Sequence, residues 1–279
     1  MRGYLPAYDV VTPTGLDEAL RLLGEGFIPL AGGTDLMVVL TAGKLPPSRF
    51  VNIWKLQELQ GITVGPDEVR LGALTTYAQV QRHPVLQEEF PSLVQAAALS
   101  GAAAIQTRGT LGGNIVNASP AADSPPALLA YGARLELVSP RGTRQVDYAD
   151  FHTGYKQMGR EADELVAAVI LPRKPDRVHY YRKVGTRRAQ AISKVCVAAC
   201  AVRANGKLSE VRIGLGSVAP TVVLARRAAA ALEAGRAAAE VAKVALEEVS
   251  PIDDIRSNKA YRARVTANLV EQLCGSLST

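Results

Sequence analysis

Leu16, Ala19, Leu20, Leu22 and Leu23 recur at helical spacing between Gly15 and Gly24, directly after Thr12-Pro13-Thr14, and predict a short amphipathic helix. Phe27-Ile28-Pro29-Leu30 then reads as a strand entering a glycine turn. Residues 36–40 are apolar beyond that turn, and residues 49–53 read as a second strand after Pro46-Pro47. The first 56 or so residues therefore form a small α/β piece. From Gly61 the period changes: Ile62-Thr63-Val64 and residues 69–73 are short β-like runs about the turn signal Gly65-Pro66-Asp67, which predicts a hairpin. Thr75-Thr76 caps a helix through Gln81, residues 91–105 are an Ala-rich helical stretch, and residues 127–131 are helical again. Residues 134–138 alternate as a strand, and residues 164–171 close the region as another.

Pro172-Arg173-Lys174-Pro175-Asp176 is polar, carries two prolines and suits neither neighbouring apolar segment, so it marks a domain boundary. The organisation expected is a domain over residues 1–172, with subdomains of about 1–56 and 57–172, and a second domain over 173–279. In the second, residues 195–203 and 211–218 are strands about the hairpin turn Asn205-Gly206. Residues 225–248 are Ala-rich helix interrupted near Gly235, and a last helix over 258–273 carries Tyr261, Val265, Leu269 and Leu273 on one stripe.

Two glycine turns stand out chemically. Ala31-Gly32-Gly33-Thr34-Asp35-Leu36 and Thr110-Leu111-Gly112-Gly113-Asn114-Ile115 each pair adjacent glycines with short polar residues, and the second continues into Asn117, Ser119 and Asp123. Glycines let main-chain N–H groups approach phosphate oxygens, while the polar tails offer hydrogen bonds to hydroxyls; together the two loops suit an anionic cofactor. Gly214-Leu215-Gly216-Ser217-Val218-Ala219 mimics a dinucleotide fingerprint, but it follows a hairpin strand and Pro220 follows it, so it is a decoy.

Composition narrows the classes. The 279 residues, 48% of them hydrophobic, can bury a core of about two domains, and no stretch approaches the apolar length of a membrane span, so the cytoplasm is the expected location. The net charge of +6 is spread out, with clusters at Arg182-Lys183 and Arg187-Arg188 lacking interleaved aromatics, which argues against nucleic acid. Cys196, Cys200 and Cys274 are too few for a four-cysteine cluster. With His83, His152 and His179 isolated in sequence, no metal site or nucleophilic constellation is read.

Those loops, with Phe151-His152-Thr153-Gly154-Tyr155 and residues 183–192, resemble the FAD-binding (medium) subunit of the molybdenum hydroxylase family, the xanthine dehydrogenase and carbon monoxide dehydrogenase group, nearly end to end. The resemblance implies an α+β chain: a two-subdomain FAD-binding domain of the vanillyl-alcohol-oxidase and para-cresol-methylhydroxylase type, then a smaller C-terminal domain of antiparallel strands and helices. It implies that Pro29, Leu30, Ala31, Gly32, Gly33, Thr34, Asp35 and Leu36 hold the FAD pyrophosphate from one side. Thr110, Leu111, Gly112, Gly113 and Asn114 hold it from the other, through backbone N–H groups. Asp123 accepts from ribityl hydroxyls, Val166 touches the flavin ring, and Lys183 lies near its polar edge as a cation for the reduced ring. Read on its own residues, Asp123 has the alternative of a cap for the helix that follows, and Lys183 that of a solvated charge.

The implied oxidoreductase takes electrons from iron–sulfur clusters, [2Fe-2S], of a partner subunit, which receive them from a molybdopterin-bearing subunit, and passes them from FAD to NAD or another acceptor. Neither the molybdopterin nor the clusters belong to this chain, and no catalytic residue is nominated. Departures qualify the match: Gln190 stands where animal xanthine dehydrogenases carry an acid, which leaves the acceptor open. Thr34-Asp35 replaces the His-Ser of some carbon monoxide dehydrogenases, and the iron–sulfur insertion of the benzoyl-CoA reductase relatives is missing. A stand-alone flavin oxidase and a flavin-free scaffold are the competing readings.

Overall fold

The computed structural model describes residues 8–46, 48–187 and 190–278; Met1 to Ala7, Pro47, Arg188 of the double arginine, Ala189 and Thr279 lie outside them. Three sheets carry the fold. The first is parallel, with Arg49–Asn52 in the middle, flanked by Asp9–Val11 and Ile28–Leu30. Parallel neighbours need crossovers, and the helices Leu16–Gly24 and Leu36–Thr41 supply them. The edge strand Asp9–Val11 escaped the sequence reading because three residues carry no periodicity to detect.

The central sheet is antiparallel, in the order Ile62–Val64, Glu68–Gly72, Leu165–Pro172, Arg134–Ser139, Gly142–Asp147. Its middle strand, Leu-Val-Ala-Ala-Val-Ile-Leu-Pro, is buried on both faces from Leu165 to Leu171, which explains an unbroken apolar run where a one-sided sheet would alternate. One face packs with Leu20, Leu22, Leu23, Val51 and Ile53 of the first unit, and the other with a larger core around Phe90, Leu93, Leu111 and Tyr148. A bulge between Val166 and Ala168 shifts the register at the end of this strand.

The third sheet, also antiparallel, runs Arg177–Val184, Val195–Ala204, Lys207–Gly216, Val223–Leu224. Between it and the central sheet lies the helix Ser124–Tyr131, all eight of whose residues are buried. Pro125 and Pro126 sit in its first turn, where their missing N–H groups cost nothing, and Gly132 closes it in the left-handed conformation at φ 67°. Gly214 and Gly216 of the decoy motif serve this packing: a Cβ on Gly214 would overlap the Pro126 carbonyl oxygen.

Two helical expectations need correction. Residues 91–105 form two helices, Pro91–Leu99 and Ala103–Gln106, because Gly101 adopts φ 65° between them. The last helix, Lys259–Ser278, buries Leu269 and Leu273 of the expected stripe and packs Val265 partly against the same core, but Tyr261 is not buried and Arg262, Thr266, Val270 and Leu277 widen the buried face. Arg262 is inside because its guanidinium donates to the carbonyls of Lys194 and Ser217 and to Asp254. Tyr261 instead lies under the Lys194 ammonium, 4.9 Å from its ring centroid.

Candidate functional site

The two glycine loops meet. A Cβ on Gly32 would overlap the carbonyl oxygen of Arg108, so this glycine lets the first loop lie directly on the chain entering the second. Gly33 takes φ 75° and turns the chain into the helix Leu36–Thr41. Among the described residues, the N–H groups of Gly32, Gly33, Thr34, Asp35 and Leu36 have no acceptor. Five adjacent main-chain donors are thus left open, an arrangement that favours an anion.

The second loop is built otherwise. Thr110 caps the helix Leu111–Val116 by accepting the Gly113 N–H at 3.1 Å. Leu111 N–H donates to Thr75 O, Gly112 N–H to Ala73 O, each at 2.9 Å, and Asn114 N–H to Thr110 O. The expectation that Leu111 to Asn114 offer backbone donors to a diphosphate is therefore corrected: all four N–H groups are engaged within the protein. Gly112 is required for packing, since a Cβ there would stand 2.7 Å from Ala73 Cβ and 2.8 Å from its carbonyl oxygen.

Between the loops opens a cavity of about 590 Å³, within the roughly 300–1,000 Å³ usual for ligand sites. Of the residues expected from sequence, Pro29, Ala31, Gly32, Gly33, Thr34, Asp35, Leu36, Thr110, Gly112, Gly113, Asn114, Asp123 and Val166 line it. Leu30, Leu111 and Lys183 do not. Leu111, fully buried, packs into the core behind the loop, and the Leu30 side chain lies beneath Gly33. Lys183 is corrected most sharply: its ammonium donates to Asp123 at 2.7 Å and to Leu99 O at 2.9 Å, with its side chain only 6% exposed, so it stands behind the wall rather than on it.

Asp123 itself precedes a helix but makes no capping bond. Its carboxylate accepts from Lys183, from Ser193 Oγ at 2.7 Å and from Ser100 Oγ at 3.4 Å. Burial pushes this carboxyl above its ordinary value, with Lys183 and the two hydroxyls pulling the other way. On the opposite strand end, Glu164 also lines the cavity; the Arg144 guanidinium, at 2.6 Å, holds its carboxyl below the usual range against burial. His152 of the Phe-His-Thr-Gly-Tyr motif donates from Nε2 to Ile115 O at 2.9 Å, and burial lowers its pKa, so the ring braces the second-loop helix in its neutral form.

Sequence reasoning missed Tyr77, Ser100, Gly101, Ile105, Arg160 and Ile192, which also line the cavity. The Ser-Gly break inside an Ala-rich run was the available signal for Ser100 and Gly101. Arg160, in an irregular polar stretch, gave none.

A loop of open N–H donors facing a cavity of cofactor size, on this sheet arrangement, agrees with the comparisons. Residues 6–174 match the FAD binding domain in molybdopterin dehydrogenase, and residues 179–277 match the CO dehydrogenase flavoprotein C-terminal domain. The chain belongs to the FAD-binding subunits of the molybdopterin dehydrogenases. It is 32% identical over 270 residues to the xanthine dehydrogenase FAD-binding subunit of Escherichia coli O157:H7, covering 92% of this chain and 91% of that one. It is 28% identical over 279 residues to the carbon monoxide dehydrogenase medium chain of Hydrogenophaga pseudoflava, covering 96% of each. A solved carbon monoxide dehydrogenase from the same organism superposes with a TM-score of 0.92 at 26% identity, covering 98% of both chains. The α+β, two-domain fold expected from the resemblance is the fold of this family, and FAD is the cofactor of its first domain. The chain is an oxidoreductase subunit. Among the described residues no helix is long and apolar enough to cross a membrane.

Proposed function

We propose that this medium subunit holds FAD in the cavity between the glycine loops, receives electrons from iron–sulfur clusters of a partner subunit, and passes them to NAD or another acceptor. The observation that carries the reading is the run of five open N–H groups from Gly32 to Leu36 on the cavity wall. When bound, FAD supplies a carrier able to exchange electrons with one-electron and two-electron partners. The chain's own residues bind and orient it. The first loop directs N–H donors at the diphosphate, while Thr110, Asn114 and Asp123 present side-chain oxygens and Leu165, Val166 and Ile192 present apolar surface for the ring.

Partner subunits follow from the chain's limits. Its three cysteines are buried; Cys196 donates to Tyr181 Oη and Cys200 to Ala130 O, and burial pushes both thiols up, to about 12 and about 11. Three cysteines are fewer than the four thiolates that hold a [2Fe-2S] cluster. An iron–sulfur subunit and a molybdenum-cofactor subunit therefore complete the electron path in this reading.

Two measurements test it. The full chain, incubated with excess FAD and desalted, keeps the flavin's visible absorbance; a colourless protein rejects the cofactor site. Adding the chemically reduced iron–sulfur subunit anaerobically then bleaches that absorbance, and a flavin that stays oxidised rejects the electron path while leaving the site intact.

A further inference from the structure

Arg160 is the one positively charged side chain among the described residues that line the cavity. Its Nη1 donates to the carbonyls of Glu161 at 3.0 Å and Glu164 at 3.1 Å, which fixes the guanidinium, while Nε and Nη2 have no acceptor among the described residues. Three N–H groups of a fixed cation are left to a ligand.

The other wall charges make that cation count. Asp123 is neutralised by Lys183 and Glu164 by Arg144, both from behind the wall, but among the described residues the Asp35 carboxylate accepts only the Asn117 amide, at 3.0 Å. Without Arg160 the lining would be net negative and would repel an anion. Main-chain donors offset this only with partial charges, whereas a diphosphate brings about two full ones.

Arg160 follows a hairpin whose turn reaches the first loop. Lys156, four residues upstream, donates from Nζ to both the carbonyl and Oδ1 of Asn117 at 2.6 Å, and Asn117 Nδ2 donates to Asp35 Oδ1. The hairpin turn at Lys156, whose second strand Gln157–Met158 runs on to Arg160, is thus tied to the loop whose N–H groups are open. We propose that Arg160 binds the diphosphate of FAD, adding a forked cation to the neutral donors of Gly32 to Leu36. An arginine whose geometry is already set loses little freedom on binding, and its fork fits phosphate oxygens in pairs.

The proposal rests on FAD occupying this cavity, and titration of the full chain with FAD and with ADP, which has the diphosphate but no isoalloxazine, separates the two. Arg160→Gln weakens both ligands roughly 10- to 100-fold, the usual worth of a hydrogen bond to a charged group, and Arg160→Lys recovers part of the loss. Added salt weakens ADP binding to the wild type and does so less in Arg160→Gln. Unchanged affinity for both ligands overturns the proposal. So does unchanged ADP binding with a shifted reduction potential of the bound flavin, which would put the cation at the ring. Should Arg160→Gln melt early by circular dichroism, the wild-type salt series still decides, because salt-independent ADP binding contradicts a charge contact. A wild type that binds neither ligand rejects the cavity itself, and this inference with it.

Discussion

The two glycine loops look alike in sequence and differ in what their backbones do. In Ala31 to Leu36 five N–H groups are open, whereas in Leu111 to Asn114 all four are bonded to the protein. The first glycine of each pair serves close packing, Gly32 on the Arg108 carbonyl and Gly112 on Ala73. The cause of the difference is what precedes each loop. The second pairs at Thr110 with Thr76 and lays its helix start against the carbonyls of Ala73 and Thr75, while the first leaves an edge strand and meets no acceptor for these N–H groups among the described residues. One loop faces the ligand with its main chain; the other is part of the wall. Substitutions on the second side should therefore register in the FAD-free protein, and those on the first mainly in FAD binding.

The largest expected effect is at Asp123, the polar end of the second segment. Asp123→Ala strands the Lys183 ammonium, 6% exposed, without a counter-charge, and breaking such a pair costs about 3–5 kcal/mol. Urea unfolding of the FAD-free chain should show it. If stability is unchanged and only FAD affinity falls, Asp123 is a ligand and the second side is not structural.

Gly112→Ala comes next. Its Cβ meets Ala73 at 2.7 Å, so the loop must back away from the central sheet, at about 1–3 kcal/mol in the FAD-free protein. Gly33→Ala is the matched control: space is available, with Leu30 and Met37 carbons no closer than 3.7 Å, but φ 75° strains an alanine by about 1–2 kcal/mol and turns the open donors. Relative to its stability cost, Gly33→Ala should lose far more FAD affinity than Gly112→Ala. Equal ratios would erase the distinction between the loops. Smaller again is Thr110→Val, which removes the cap on Gly113 for about 1 kcal/mol and frees one N–H toward the cavity.

This division of labour was only half legible in the sequence. The loops themselves were, since paired glycines with polar tails are a local signal, and so were the turns: Asn205 and Gly206 take φ 52° and 71° in the hairpin that their dipeptide predicts. The helix read between Gly15 and Gly24 is Leu16–Gly24. What stayed hidden depends on long-range contacts. Nothing near Gly112 in sequence says that Ala73 will take its N–H, and nothing near Lys183 says that Asp123, sixty residues earlier, will neutralise it. Arg160 was invisible for the same reason, because one arginine in a polar turn acquires meaning only when a cavity forms around it.

The finest test uses pH, because the two paired carboxyls on the wall shift in opposite directions. Glu164 is held below its ordinary value of 4.5 chiefly by Arg144, so its contribution to stability is complete above that pH and is lost as pH falls through the lower folded value. Asp123 is pushed above its ordinary 3.8 by burial, so it works the other way: its contribution is complete below 3.8 and declines as pH rises through the folded value. Glu164→Gln should therefore flatten the acid limb of stability below about pH 4.5. Because Arg144 is 45% exposed, solvent screening limits the effect to a few tenths of a kcal/mol up to about 1. Thermal unfolding from pH 6 down to about 3, compared between wild type and Glu164→Gln, resolves it as a difference in slope. An unchanged slope would mean that the Arg144 pair contributes nothing, and that the wall beside Arg160 is held by packing alone.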